Sequence, residues 1–520
     1  MTIFLIKAAQ LMLALAILVF IHELGHFFFA RLFKVRVEKF YLFFNPQISI
    51  VRFKKVGKKW RFKFFARNLQ YEVPALDENG IPKLDKKGKK IMQPIDTSNL
   101  PEDDWRRYPE NTEWGLGWVP LGGYCKIGGM MDESQDKNVK NVRAEEWAYE
   151  SQAVWKRMLI SAGGVIFNFI SAVIIFAMVL FHYGKETIPL ENAYLGYSFS
   201  ETAQKSGFVN GDRIISINGE KVFEKSEVFE KMIIEGKTNV VLLRDSQEFT
   251  LDLPKNFSQQ IISAKETKFM NERFPFVIDS VFSQTRGKPF PFWKKLIGKK
   301  PTAENLPRIT PAKAAGLLKG DSIVGVNGKN LFEFYDIANE FALNKGKTID
   351  ISIYRNDSLI TKNITIDSLG KIGVAPKHYL NFLETHKIEY GFFASFPAGW
   401  KHGIETLVSY IKQFRLVFTK EGAQNLGGFV TIGSIFPGEW NWNIFWNMTA
   451  FLSVILAFMN ILPIPVLDGG HLLFLLYEGI TRRKPSDKFM EVSLTIGLYL
   501  LLALMIFANG NDILRLLGLM

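Results

Sequence analysis

Residues 3–30 read IFLIKAAQLMLALAILVFIHELGHFFFA, an apolar run that carries His22-Glu23-Leu24-Gly25-His26 in its distal half. The run is long enough to cross a bilayer as a helix, which takes about 20 residues. An ionisable side chain at bilayer depth costs roughly 2.5–3.5 kcal/mol on insertion scales, so its default reading is functional. His22, Glu23 and His26 fall within one short stretch, and a divalent metal gives such groups a common partner. In a helix His22 and His26 share one face, where their ring nitrogens can meet on one ion. Glu23 projects from a neighbouring position, placed to take a proton from water. A catalytic zinc also needs a third protein ligand and one open position.

Three further runs are apolar enough to span a membrane: Met158–Phe181, Ile444–Val466 and Val492–Ala508. They are hidden in the averages, a hydrophobic fraction of 48% and a mean hydropathy of +0.05. The net charge is +13, and its excess is local. Between Arg31 and Asn68 the only acid is Glu38, against a dense series of lysines and arginines. A second basic cluster, Arg482-Arg483-Lys484, precedes the fourth run. The positive-inside rule puts both loops in the cytoplasm, with both termini and the long middle region outside. The basic stretch abuts a membrane helix, so its partner is anionic lipid and not nucleic acid. Cys125 is the lone cysteine, which excludes an intrachain disulfide and a multi-cysteine zinc site. The first run is too long for a signal peptide, and its distal half is charged, so it reads as retained.

The third run ends Asn460-Ile461-Leu462-Pro463-Ile464-Pro465-Val466-Leu467-Asp468-Gly469-Gly470-His471. Asp468 is the first carboxylate after Ile444 and so the candidate third ligand, with His471 a rival. Depth agrees: His22 and Asp468 each lie about 30 Å from the outer face at 1.5 Å per residue. Pro463 and Pro465 break the backbone ladder, which membranes tolerate only beside protein or a water-filled cavity. Asn460 could hydrogen-bond an extended substrate backbone or another helix. In the second run, Gly163-Gly164 and Asn168 read as a close helix contact with an amide bonding across it.

Between the membrane runs the pattern is β-rich. Gln47–Phe53, Trp60–Phe64 and Trp114–Tyr124 read as strands of a small sheet near the membrane, interrupted by a polar insert near 72–113. The middle region holds a repeat. Ser206-Gly207-Phe208-Val209-Asn210-Gly211-Asp212 through Asn218-Gly219 matches Ala315-Gly316-Leu317-Leu318-Lys319-Gly320-Asp321 through Asn327-Gly328. Its Gly-Asp core resembles that of PDZ domains, and the second copy carries a basic insert near 284–308. Tyr390–Phe418 alternates aromatic and polar residues, which predicts an amphipathic helix on the outer membrane surface.

Taken together, the His-Glu-Leu-Gly-His, Val-Pro-Leu-Gly-Gly-Tyr (119–124), Asn168, paired Gly-Asp and Asn460–Gly470 motifs resemble the site-2 protease family, of the bacterial regulator-of-sigma-E type. The resemblance implies an intramembrane zinc metalloendopeptidase with His22, His26 and Asp468 on zinc and Glu23 as general base. Asn460, Pro463, Pro465 and the membrane-associated sheet would hold an extended substrate. It implies single-pass membrane substrates already cut by another protease, such as anti-sigma factors and remnant signal peptides. It places the chain in the bacterial inner membrane with its PDZ-like pair in the periplasm as a size filter. Three features depart from the family pattern: Phe43-Phe44-Asn45-Pro46 replaces a glycine-rich turn, Gly163-Gly164 replaces Gly-Pro, and the polar insert around 72–113 is extra. The rivals are a membrane metalloprotease with a glutamate third ligand and a non-enzymatic membrane scaffold.

The expected architecture is therefore a four-helix membrane protein with a membrane-associated β-sheet and two extracytoplasmic PDZ-like domains. Its expected segments are helix 1–30, loop and sheet 31–157, helix 158–181, PDZ-like domains 190–270 and 271–380, and amphipathic segment 388–443. Helix 444–478, basic loop 479–491, helix 492–508 and tail 509–520 complete it.

Overall fold

The computed structural model describes residues 2–69, 72–75, 82, 92–95, 97, 100–120, 122–130, 145–264, 266, 269–284, 309–331, 333–378, 381–414, 417, 419 and 426–516. Leu121, Phe418, residues 76–81, 83–91, 96 and 98–99 of the polar insert and residues 285–308 lie outside them. The chain divides into two compact units, Met1–Gly184 with Glu389–Met520, and Lys185–Ile388.

The first unit is built on α1 (Thr2–Leu32), α2 (Val154–Tyr183), α3 (Phe392–Phe414), α4 (Phe429–Ser434), α5 (Trp442–Ile461), α6 (Asp468–Thr481) and α7 (Asp487–Leu516). Among the described residues four helices, α1, α2, α5 and α7, are long and apolar enough to cross a membrane. Helix α2 is the hub and packs against α1, α3, α5 and α6. Small residues make this approach feasible: Ala172 of α2 and Ala450 of α5 are fully buried, with Phe176 and Val454 beside them. Ser453 donates to the Asn168 carbonyl at 2.7 Å and lies 3.0 Å from Ser171, so hydroxyls bridge the same contact. Arg157 of α2 grips Glu478 of α6 with two bonds of 2.7 and 3.0 Å. On the other side Leu11, Ala14 and Leu18 of α1 pack with Phe445 and Leu452 of α5.

Three features differ from the sequence expectation. Helix α3 does not lie on the surface alone. Its Ser395, Gly399 and Gly403 recur every fourth residue and are buried, and a β-carbon on Gly399 would stand 2.7 Å from the Ala177 nitrogen of α2. Tyr410 and Phe414 then pack on Phe458 of α5, with centroids 5.6 and 5.3 Å apart. The aromatic periodicity is real, but the small-residue stripe between the rings takes the helix down the flank of its neighbours. Second, the run expected as one interrupted span is two helices, because α5 stops at Ile461 and α6 starts at Asp468. Pro463 and Pro465 cannot donate to a helix ladder, and Val466 adopts φ +94° where the chain turns. Third, α7 continues to Leu516, through the expected tail. Asp512 accepts from the Val430 and Thr431 amides at 2.9 and 3.1 Å, so its carboxylate caps α4 and anchors the end of α7. Asn509 and Asn511 add bonds to Phe429 and Leu426.

A five-stranded sheet lies against α1. Its strands are β1 (Val37–Leu42), β2 (Ile48–Val56), β3 (Lys59–Arg67), β4 (Glu113–Leu116) and β5 (Tyr124–Ile127), in the order β3-β2-β4-β1-β5. Strands β1 and β4 are parallel, with Phe40 opposite Trp114; β5 runs antiparallel to β1, with Tyr124 opposite Tyr41. Phe40 packs on Phe20 and Phe27 of α1, which folds the sheet back along the helix. Within the polar insert, residues 72–74 pair antiparallel with residues 92–94.

In the second unit the repeat forms two β modules with separate cores, one around Phe208, Ile217, Val240 and Leu242, the other around Ile323, Ile337, Ile351 and Ile353. The repeated aspartates do the same work in each. Asp212 accepts from the Val209 amide and from two Arg244 nitrogens, all at 2.8 Å. Asp321 accepts from the Leu318 amide at 2.8 Å and from Arg355 twice at 2.7 Å. The repeat thus extends to an arginine at a strand end that sequence comparison of the Gly-Asp turns did not include. Lys185–Thr187 and His386–Ile388 pair antiparallel, closing the unit where the chain enters and leaves it.

Candidate metal centre

Helix α1 presents His22 and His26 one turn apart, and the first residue of α6 presents Asp468 between them. His22 Nε2 lies 3.4 Å from Asp468 Oδ2, His26 Nε2 lies 3.4 Å from Asp468 Oδ1, and the two Nε2 atoms are 3.3 Å apart. The two ring nitrogens and the carboxylate thus form a small triangle of donors, one ligand atom from each residue lying within 4.8 Å of the others. The separation of the two Nε2 atoms matches the ligand–ligand edge of about 3.3–3.4 Å of a tetrahedral zinc with bonds of about 2.0–2.1 Å, so the donor set fits that ion. Asp468 Oδ2 is buried without a hydrogen-bond partner among the described residues, as a carboxylate oxygen facing a cation would be. Among the described residues, His22, His26 and Asp468 form the one group of such donors close enough to hold a metal. His471 instead lines a cavity of about 330 Å³ with Tyr149, Arg157 and Glu478.

The outer ring nitrogens are held as well. His26 Nδ1 lies 2.9 Å from the Ile160 carbonyl, so Nδ1–H donates and Nε2 keeps its lone pair for the triangle. The side-chain amide of Asn168 lies 3.2 Å from His22 Nδ1, and its Oδ1 is buried without a partner among the described residues. With the amide turned by half a rotation that oxygen faces the ring and accepts the Nδ1–H of His22. Asn460 also reaches the His22 ring, with Nδ2 at 3.4–3.5 Å from its nitrogens. The sequence suggested bonding across the contact for Asn168, and for Asn460 a bond either to an extended substrate or to another helix; it did not point to His22 in either case.

Glycines bring the two helices this close. A β-carbon on Gly163 would stand 2.5 Å from the Gly25 carbonyl oxygen, and one on Gly164 would stand 2.6 Å from His26 Nε2. Gly25, the unspecified position of the His-Glu-x-x-His pattern, is thus part of the helix crossing.

Glu23 lies between the metal-facing histidines in sequence and packs beside the sheet. A β-carbon on Gly123 would stand 3.5 Å from Glu23 Cγ, and Gly123 immediately precedes β5. Strand β5 is an edge: it pairs with β1 on one side and has no strand on the other among the described residues. Pro463 and Pro465 lie in the non-helical link from α5 to α6, against which Gly497 of α7 packs.

The sequence pattern of Peptidase family M50 matches residues 10–67 and 104–504. Among curated relatives, the regulator of sigma E protease of Haemophilus influenzae is 26% identical over 525 residues, covering 99% of this chain and 100% of the relative. The regulator of sigma-E protease RseP of Escherichia coli is 25% identical over 531 residues, with 99% of both chains covered. A Vibrio cholerae protein named as a zinc metalloprotease is 26% identical over 530 residues, with 97% of both covered.

Proposed function

The chain belongs to Peptidase family M50 and is a zinc metalloprotease, and we propose that it cleaves peptide bonds within the bilayer with His22, His26 and Asp468 as its metal ligands. The observation that carries this reading is the convergence of His22 and His26, on a helix apolar enough to cross a membrane, with Asp468 at the start of α6. When bound, zinc supplies Lewis acidity at the scissile carbonyl and makes water nucleophilic at neutral pH. Glu23 takes the proton of the attacking water and delivers it to the leaving amine. Asn168 and the Ile160 carbonyl keep both imidazoles turned to the ion.

A helical substrate hides its carbonyls in its own hydrogen bonds, so it must be held extended. The open edge of β5, next to Glu23, would receive it by strand addition. Asn460, which reaches the His22 ring from the end of α5, and the Pro463–Pro465 link after it would bound the opposite side. Substrates on this reading are single-pass membrane proteins, such as anti-sigma factors and remnant signal peptides, shortened beforehand by another protease. The names of the Haemophilus and Escherichia relatives support the first class. The two β modules of the second unit would be PDZ-like filters on the periplasmic side of a bacterial inner membrane. The basic loops 31–68 and 482–484 support that orientation.

The experiment is cleavage of a single-span substrate by the purified, zinc-loaded chain and by Glu23→Gln. Zinc retained with cleavage lost supports the assignment; unchanged cleavage removes Glu23 from the mechanism. Asp468→Ala should lose the zinc itself, and full retention would leave the third ligand elsewhere.

A further inference from the structure

The turn from β1 to β2 is unusual for a sharp turn, because it contains no glycine. Phe43 and Gln47 adopt φ +69° and +66°, a region that a β-carbon disfavours. Such a turn persists when its surroundings over-determine it, and Asn45, between the two, supplies the determination. Asn45 is 7% exposed. Its amide nitrogen donates to Ser49 Oγ at 3.0 Å and to Asn68 Oδ1 at 3.1 Å. Asn68 returns a bond to the Asn45 carbonyl at 2.9 Å. Its amide oxygen accepts from the Tyr124 hydroxyl at 2.9 Å. One side chain therefore ties β2, the end of β3 and the start of β5.

Tyr124 is held on its faces too. Its ring stacks on Tyr41 with centroids 5.3 Å apart and planes 1° from parallel, and Phe44 stacks at 6.3 Å. Tyr41 in turn donates to Glu113 at 2.6 Å and lies 3.2 Å from Ser49 Oγ. Burial, with the Glu113 carboxylate next, holds the Tyr41 phenol well above its ordinary range, so it remains a donor. The residue next to Tyr124 is Gly123, which abuts Glu23.

We propose that Asn45 is a positioning residue that acts through Tyr124: it sets the start of β5 against Glu23 and so aligns the edge on which substrate is laid. This rests on the reading of β5 as the substrate-receiving strand. The departure from a glycine-rich turn is then a substitution of one device for another, a side-chain pin in place of backbone freedom.

The test uses the full chain, purified with zinc, and a synthetic single-span peptide with an extended, glycine-containing apolar segment. Asn45→Ala should raise KM about tenfold, the scale of one lost hydrogen bond, with kcat within about twofold and zinc content unchanged. Tyr124→Phe, which keeps the ring stack and the fold, should raise KM to a similar extent. Because both remove the Tyr124–Asn45 bond, the double variant should be no worse than Asn45→Ala alone. Additive effects, or a fall in kcat at constant KM, would overturn the proposal. If Asn45→Ala does not fold, an unchanged KM in Tyr124→Phe overturns it alone. Replacing successive substrate amides by esters separates the underlying reading: if no ester raises KM in the parent chain, β5 does not receive substrate. If esters do raise it while Tyr124→Phe has no effect, only the role of Asn45 falls.

Discussion

Gly164 and His22 touch through a face that has no side chain: a β-carbon on Gly164 would stand 2.5 Å from Nδ1 of the His22 ring. The same carbon would reach His26, so one methyl group at this point would push on two of the three metal-facing side chains. The glycine pair is thus a condition for the metal centre as well as for helix packing.

Gly164→Ala should therefore weaken zinc retention while leaving the chain in the membrane. Overpacking a tight contact costs about 1–3 kcal/mol, which here falls on the ligands, so competition with a chelator should show roughly a 10- to 100-fold loss. Retention equal to that of the parent chain would show that α1 and α2 can separate without disturbing the imidazoles.

Asn168→Ala removes the amide beside His22 without adding bulk. Loss of such an outer partner typically costs 10- to 100-fold in metal affinity or activity, and a fall of about tenfold in zinc affinity is expected. Asn168→Asp, which can still accept from Nδ1–H, should retain more zinc than Asn168→Ala. The reverse order would place the role of Asn168 in packing alone.

In the second unit, Asp321 carries a pH dependence with a definite sign. Burial pushes its pKa up, but the Arg355 bonds and the Leu318 amide overcome this and leave it below the ordinary 3.8. The unfolded chain then takes up its proton first as pH falls, so stability is present above about pH 4 and is lost as pH drops through the lowered folded value. Hydrogen exchange on the full chain should show residues 309–378 losing protection below pH 4. Arg355→Ala should cost that module about 2 kcal/mol at neutral pH, since it strands a buried carboxylate. Protection that does not change with either perturbation would remove the ion pair from the account.

The metal centre was legible where chemistry forces rare residues into an unlikely solvent. His22, Glu23 and His26 stand out in an apolar helix, and Asp468, with His471 as its rival, stands out at matching depth; the structure brings His22, His26 and Asp468 together. What was not legible depends on how helices rotate against one another. Asn168 was readable as a polar group at a contact, but its partner, His22, is set by the azimuth of α2. Gly25 was an unspecified letter in a motif until Gly163 was seen against it. In α3, Trp400, Tyr410 and Phe414 drew the reading to an interfacial helix, whereas Ser395, Gly399 and Gly403 decided its packing. The turn at Phe43–Gln47 looked like a defect against a glycine-rich pattern. Its pin was invisible because Asn68 and Tyr124 join Asn45 from other strands.

The split of the metal-facing donors between α1 and α6 has a consequence for biosynthesis. His22 and His26 emerge early from the ribosome, and Asp468 follows only after both β modules of the second unit have been made. Until α6 is in place the nascent chain holds two imidazoles and no third donor. The metal site is therefore closed by one of the last helices to be made, and the order of synthesis itself delays its completion.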